Sequence, residues 1–261
     1  MIGDNMNSMD NSISRKLVRP NRECFCIELH MHTSQSSACG RGTPEQMVRT
    51  YKEAGYDGIV VTDHFMNGNT CVDRDLPWEE QVDSYCLAYE KAKIEGDKIG
   101  LSVFFGFEYN YFTTEFITLG LDKAWIKAHP EILHMEPQEY LTLVRKSGGL
   151  AIHAHPYREA SYISVHRFYP EYVDAVEVIN LGNRDDKYNQ FALRYAREHN
   201  LPMTSGSDCH SPRGQIGAGI AMNERPETIE DIVRCIKSGT GYTLLGAGCL
   251  GSSINDPEGD A

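Results

Sequence analysis

Three short pairs of metal-binding residue types, each spaced i, i+2, stand out in this chain: His30-Met31-His32, His153-Ala154-His155 and Asp208-Cys209-His210. Each follows a stretch that reads as a buried strand: Cys24–Leu29, Gly149–Ile152 and Leu201–Thr204. Residues i and i+2 of a strand point to one face. The spacing therefore predicts two imidazoles, or a carboxylate and an imidazole, aimed into one space. Asp63-His64 follows the apolar run Gly58–Thr62, and Glu108 follows Leu101–Phe107. Mixed nitrogen and oxygen donors collected from several strand ends suit a multi-metal hydrolytic site.

The elements that must carry these residues alternate. Thr43-Pro44-Glu45-Gln46 is a helix start: Thr43 caps, Pro44 fits the first helical position, and Gln46 closes a capping box. Met47, Val48, Tyr51 and Ala54 then share a face and Gly55 ends the helix. Further helices are predicted near 78–93, from Pro137 to Gly148, over 187–199 and from Pro226, with strands at 174–179 and 241–245. Strand–helix alternation implies a parallel sheet with helices outside it. An open sheet would gather ligands at one switch point. Here chemical residues end nearly every strand, which fits a closed (β/α) barrel whose loops ring one mouth. The expected organisation is one barrel domain over 23–245, between polar or Gly- and Ser-rich flexible tails at 1–22 and 246–261.

The bulk composition narrows the partners. The 261 residues are 41% hydrophobic and 24% charged, enough for a sizeable core. The formal charge of -12 opposes binding to a nucleic-acid duplex, which requires a basic face. No run has signal-peptide layout or membrane-spanning length. The eight cysteines (Cys24, Cys26, Cys39, Cys71, Cys86, Cys209, Cys235, Cys249) form no C-x-x-C pair and read as reduced thiols. A cytoplasmic protein without a membrane partner is expected; the oligomeric state is left open.

Individual roles can be assigned within this frame. Glu108 ends an almost wholly apolar strand, so its carboxylate needs a cation: a metal ion, or an arginine. Asp63 either orients an imidazole from behind or caps a turn. Of the 153/155 pair, His155 is the chosen ligand. His153 is a catalytic or supporting group, or else a satisfied core histidine. Arg158 can grip a phosphate with its planar fork, or be an exposed loop charge. Asn180 and Asn183 either line the mouth or form turns. His129, His134, His166 and His199 read as surface residues.

In their order and spacing, these motifs resemble the PHP (polymerase and histidinol phosphatase) family. The stretches that carry the resemblance are Glu28–Ser34, Val60–His64, Gly106-Phe107-Glu108, Ala154-His155-Pro156 and Gly206–His210, spread over residues 24 to 245. The resemblance implies a single-domain α/β protein with a distorted (β/α)7 TIM-like barrel. It implies metal ligands at His30, His32, His64, Glu108, His155, Asp208 and His210, holding two or three divalent ions. Two departures are visible. Ser36-Ser37-Ala38 stands where many relatives have Ser-Asp-Gly, and Ile117-Thr118-Leu119-Gly120 lacks a histidine common in that context.

The implied activity is hydrolysis of a small phosphate ester, a phosphomonoester first, by a metal-activated hydroxide. Paired cations neutralise the phosphate dianion and lower the pKa of a bound water. The donor set suits Zn, Mn or Fe better than Mg. Asp63, His64 or His153 would assist the leaving group, and the sequence does not choose among them. Arg158 and Asn180 are the substrate-binding candidates. Two alternatives compete: an amidohydrolase-type hydrolase, which also uses His-x-His, and a catalytically silent metal-binding regulatory module.

Overall fold

The computed structural model describes residues 16–21 and 23–248. Among the described residues, nine strands form one sheet: β1 (Phe25–Glu28), β2 (Gly58–Val61), β3 (Ser102–Tyr111), β4 (Thr114–Leu119), β5 (Leu150–His153), β6 (Ala175–Asn180), β7 (Met203–Gly206), β8 (Gly219–Met222) and β9 (Tyr242–Leu245). Six α-helices accompany them: α1 (Pro44–Ala54), α2 (Trp78–Ile99), α3 (Lys123–Ala128), α4 (Pro137–Lys146), α5 (Lys187–Glu198) and α6 (Ile229–Ser238). The spatial strand order is β7-β6-β5-β4-β3-β2-β1-β8-β9.

Seven strands run in one direction, and only β4 and β8 are reversed among those described. The curled sheet is nearly a closed barrel. Between β7 and its β8–β9 edge, side chains take over from the ladder. Ser205 Oγ donates to Leu245 O at 2.7 Å and accepts from Gly219 N at 3.2 Å, and Tyr242 OH donates to Met203 O at 2.8 Å. The expected barrel is thus present, with two reversed strands inserted among the seven parallel ones.

The helix signals act as read. Thr43 and Gln46 form the capping box of α1, Pro44 opens it, and Gly55 closes it in the left-handed region (φ 100°). Met47, Val48 and Tyr51 of α1 bury against Cys26, Ile59 and Val61 of the sheet; each full burial is worth about 1.5–3 kcal/mol. The helix predicted to stop near Lys93 runs on to Ile99. Gly96 permits this. A Cβ there would lie 2.5 Å from Val103 Cγ2 and 2.6 Å from Leu101 O, so only glycine lets the last turn press on β3. The final helix begins at Ile229, with Thr228 and Asp231 forming its capping box, rather than at Pro226.

The inner faces of successive strands form one apolar cluster: Ile27, Val60, Phe104, Ile117, Leu150, Ile152, Ala175 and Ile220. Ile232, Val233 and Ile236 of α6 join that same cluster. Helix α6 therefore seals one end of the barrel. The N-terminal segment is tied to the outside. Leu17 N donates to Ala54 O, and Arg19 bonds Gly55 O and the Asp57 carboxylate. The remainder of the two predicted tails lies almost wholly outside the described residues.

Candidate metal centre

The other end of the barrel collects the chemical side chains. His30 and His32 lie just past β1, His64 just past β2, His155 just past β5, and Asp208 and His210 just past β7. Glu108 is within β3, and Glu177 and Asn180 are within β6. Glu115 stands near the N-terminal end of β4, because that strand enters the mouth from the opposite direction.

Backbone bonds beyond the regular ladders hold these segments together. His32 N donates to Cys209 O at 2.9 Å, Asp208 N to His30 O at 2.8 Å, and Glu108 N to Asp63 O at 3.0 Å. Buried carboxylates act as staples. Glu28 accepts from the amides of Leu29, His30 and Ser207, joining the first and last motifs. Burial pushes its carboxyl up to about 7. Asp63 accepts from Thr33 N at 2.6 Å, Thr33 Oγ1 at 2.7 Å and Ser37 Oγ at 2.6 Å. Gly206 is required where β7 meets the mouth. A Cβ there would fall 2.3 Å from Glu177 Oε1 and 2.5 Å from His30 Cβ.

The same contacts set the histidine tautomers. His30 Nδ1 lies 2.9 Å from Glu177 Oε1, an acceptor, so Nε2 turns its lone pair to the centre. Ser37 gives its only proton to Asp63 and so accepts from His32 Nδ1 at 3.1 Å and from His64 N at 2.9 Å. His210 Nδ1 donates to Asp208 O at 2.8 Å. In each case the other ring nitrogen is left with a free lone pair.

These atoms converge on Glu108 and Asp208. His30 Nε2 is 3.1 Å from Glu108 Oε1 and 3.5 Å from Asp208 Oδ1. His32 Nε2 is 3.1 Å from Asp208 Oδ1, His64 Nδ1 is 2.7 Å from Glu108 Oε2, and His155 Nε2 is 3.2 Å from Glu108 Oε1. Glu115 adds oxygens 3.6 Å from His64 and 3.5 Å from His155. Yet His30 Nε2, His32 Nε2, His64 Nδ1 and Glu108 Oε2 make no hydrogen bond of acceptable geometry, though all are buried. Buried polar atoms without partners are costly. Divalent cations would satisfy all four atoms together, so the donor set fits metal ions. Four overlapping groups of ligand atoms lie within 4.8 Å of one another: His32/His64/His210, His30/His32/Glu108, His30/His155/Glu177 and His64/Glu108/Glu115.

The electrostatics reflect the crowding of opposite charges: against burial, Glu177 and Asp208 raise His30, and Glu108 raises His64, above the usual imidazole range. Burial opposes ionisation of Glu108, but His30 and His64 hold its carboxyl well below the usual range. Burial likewise opposes a charged Asp208, and Arg158 and His30 outweigh it. Burial, with His210 and His64 alongside, keeps His32 well below the usual imidazole range, and a neutral ring is the ligating form.

A sequence model of the family described as PHP-associated matches residues 186–240, the stretch holding Asp208 and His210. The crystal structure of a two-domain protein containing a predicted PHP-like metal-dependent phosphoesterase, from Bacteroides vulgatus, shares the fold. Its TM-score is 0.65 at 16% identity, over 88% of this chain and 67% of that one. An uncharacterized protein of Methanocaldococcus jannaschii is 27% identical over 178 residues, covering 64% of this chain and 88% of that protein. A lesion-specific endonuclease from Pyrococcus furiosus has the same fold, with a TM-score of 0.57 at 15% identity over 85% of this chain and 57% of its own.

Within this barrel the candidate residues separate. His30, His32, His64, Glu108, His155, Asp208 and His210 all come together. His153 does not. Leu150, Ile152 and Ala154 face the barrel core, so His153 faces outward, 5.3 Å from the Phe116 ring and 6.0 Å from Tyr195. Burial there drives its pKa down to about 3. His155 reaches the centre instead through a left-handed backbone (φ 28°). Asp63 lies one layer behind the centre, fully engaged by Thr33 and Ser37. Arg158 is not an exposed charge; it bonds Asp208 Oδ2 at 2.5 Å and Asn180 Oδ1 at 2.7 Å. The Asn180 amide also donates to Glu177 Oε2 at 2.8 Å, so both of its ends have protein partners.

Sequence reasoning missed Glu115, Glu177 and Cys39. Both carboxylates sit in apolar runs, Thr114–Leu119 and Ala175–Asn180. That is the signal already applied to Glu108, and it would have found them. Cys39 lies half-buried beside His64 and His210; burial works against its ionisation, and hydrogen bonds from these two imidazoles bring the thiol down to about 6. A groove of about 900 Å³ between α2, β3 and α3 carries none of the clustered ligands. No described helix is long and apolar enough to cross a membrane.

Proposed function

We propose that this chain is a metal-dependent phosphoesterase acting on a small phosphate ester, a phosphomonoester first. The reading rests on one observation: four buried, unpartnered ligand atoms on His30, His32, His64 and Glu108 face one another beside Asp208 and Arg158. His155, Asp208 and His210 complete the proposed ligand set, with Glu115 and Glu177 at its margins. Two or three divalent ions, of Zn, Mn or Fe type, would be held there. When bound they supply Lewis-acid stabilisation of phosphate charge and an acidified water.

The protein's own groups do the rest. Glu177 and Ser37 fix the tautomers of His30 and His32. Arg158, held by Asn180 and Asn183 beside Asp208, offers a planar guanidinium that a phosphate oxygen would engage in place of Asp208. Of the three candidates for leaving-group assistance, His64 alone faces the centre; Asp63 is behind Ser37 and His153 is outside the barrel wall.

The test is reconstitution. Metal-free protein is loaded separately with Mn, Zn, Fe or Mg and assayed on phosphomonoesters, phosphodiesters and amides. Phosphomonoester turnover restored by a transition metal, and lost in His30→Ala and Asp208→Ala, is the expected result. Metal uptake with no turnover on any ester would point to a binding module instead. Amide cleavage alone would point to the amidohydrolase class.

A further inference from the structure

We propose that the Glu115 carboxylate is a metal ligand, closing with His64 and Glu108 an oxygen-rich position suited to manganese. The proposal rests on the metal-dependent reading above and assigns a donor that the sequence motifs do not contain.

Position is the first support. Strand β4, Thr114-Glu115-Phe116-Ile117-Thr118-Leu119, carries no histidine. Ile117 belongs to the inner apolar cluster of the barrel, and Glu115, two residues nearer the mouth, shares its face. Glu115 is buried. Its Oε1 lies 3.6 Å from His64 Nδ1, and its Oε2 lies 3.5 Å from His155 Nε2. Ligand atoms of His64, Glu108 and Glu115 all lie within 4.8 Å of one another.

The partners of Glu115 supply a second, independent observation. His64 Nδ1 and Glu108 Oε2 are buried and stand 2.7 Å apart, yet neither makes a hydrogen bond of acceptable geometry. Two buried carboxylates at this separation repel each other, and a divalent cation between them would relieve the repulsion and satisfy both unpartnered atoms.

The carboxylate is also held in place. Asn110 Nδ2 donates to Glu115 Oε1 at 3.1 Å. Asn67 locks Asn110 in turn, donating to its carbonyl at 2.6 Å and accepting from its amide at 3.2 Å. On the other flank Ala154 N, next to His155, donates to Glu115 O at 3.0 Å. Asn110 is thus a positioning residue that orients the ligand from behind.

Donor chemistry sets the ion. The His32/His64/His210 group offers three imidazoles and no carboxylate, whereas His64/Glu108/Glu115 offers two carboxylates and one imidazole. Carboxylate oxygens suit manganese, and imidazoles suit zinc.

Free manganese(II) gives a six-line electron paramagnetic resonance spectrum that collapses on binding. Titration of the metal-free protein therefore counts bound manganese without any assay of turnover. In Glu115→Gln the affinity for one manganese per chain should fall by more than ~100-fold, beyond the cost of losing an outer partner, and in Asn110→Ala by about 10–100-fold. Glu136→Gln, altering an exposed carboxylate, should bind as the parent does. A Glu115→Gln protein with the parent's manganese isotherm overturns the assignment. Far-ultraviolet circular dichroism checks folding; where Glu115→Gln fails that check, Asn110→Ala decides, and unchanged manganese affinity there overturns the assignment as well. Zinc uptake by the parent without manganese uptake overturns this proposal alone. Uptake of neither ion overturns it together with the metal-dependent reading.

Discussion

The two ends of this barrel are built from the same strands to opposite rules. At one end, Ile27, Val60, Phe104, Leu150 and Ile152 meet Ile232, Val233 and Ile236 of α6, an all-apolar seal. At the other, a few residues further along the same strands, buried imidazoles and carboxylates crowd together with ligand atoms left unmatched. Burial stabilises the first end and costs free energy at the second. Stability thus resides at the α6 end, and the mouth keeps ligand atoms that the protein itself leaves unmatched.

Substitutions can break that contrast. Glu108→Gln removes the carboxylate shared by His30, His32, His64 and His155. Turnover in the metal-loaded protein should fall by more than the roughly 100-fold limit typical of an outer partner, with far-ultraviolet circular dichroism unchanged. At the opposite end, Ile232→Ala should cost about 2–5 kcal/mol in denaturant unfolding and leave metal stoichiometry untouched. A change in stoichiometry would mean that the two ends are not separable.

A smaller effect sharpens the comparison at its boundary. Glu177 has one oxygen on His30 Nδ1 and the other on the amides of His155 and Asn180. Glu177→Gln should weaken metal affinity by about 10–100-fold, read by calorimetry. His153, outside the wall, should matter only to acid stability. Its folded pKa, near 3, is below the unfolded value of about 6.5. Its contribution is therefore full above pH ~6.5 and is lost as pH falls toward ~3. His153→Leu should flatten that acid limb in pH-dependent unfolding and leave neutral-pH turnover unchanged.

The same comparison shows what the chain reveals before folding. The helices were legible because capping and apolar periodicity are local: Thr43 and Gln46 open α1, and the Ile229/Ile232/Val233/Ile236 face of α6 turns to the core. The i, i+2 rule fared unevenly at the mouth. It places His30 and His32 together, although β1 ends at Glu28 and the real cause is their pairing with the Cys209 segment. Applied to His153 and His155 it fails, because the second residue leaves the strand through a positive φ. The apolar run around Glu115 marks its burial but not which end of the barrel it reaches. Strand direction is a tertiary property, and β4 reaches the mouth only because a hairpin turns it around.

Elemental analysis of the protein purified without chelator, paired with calorimetric titration of its metal-free form, tests the central claim most directly. At least two divalent ions per chain are expected, with one or more lost in His30→Ala. A chain that holds no metal and takes up none, or a His30→Ala protein that binds as the parent does, would contradict it.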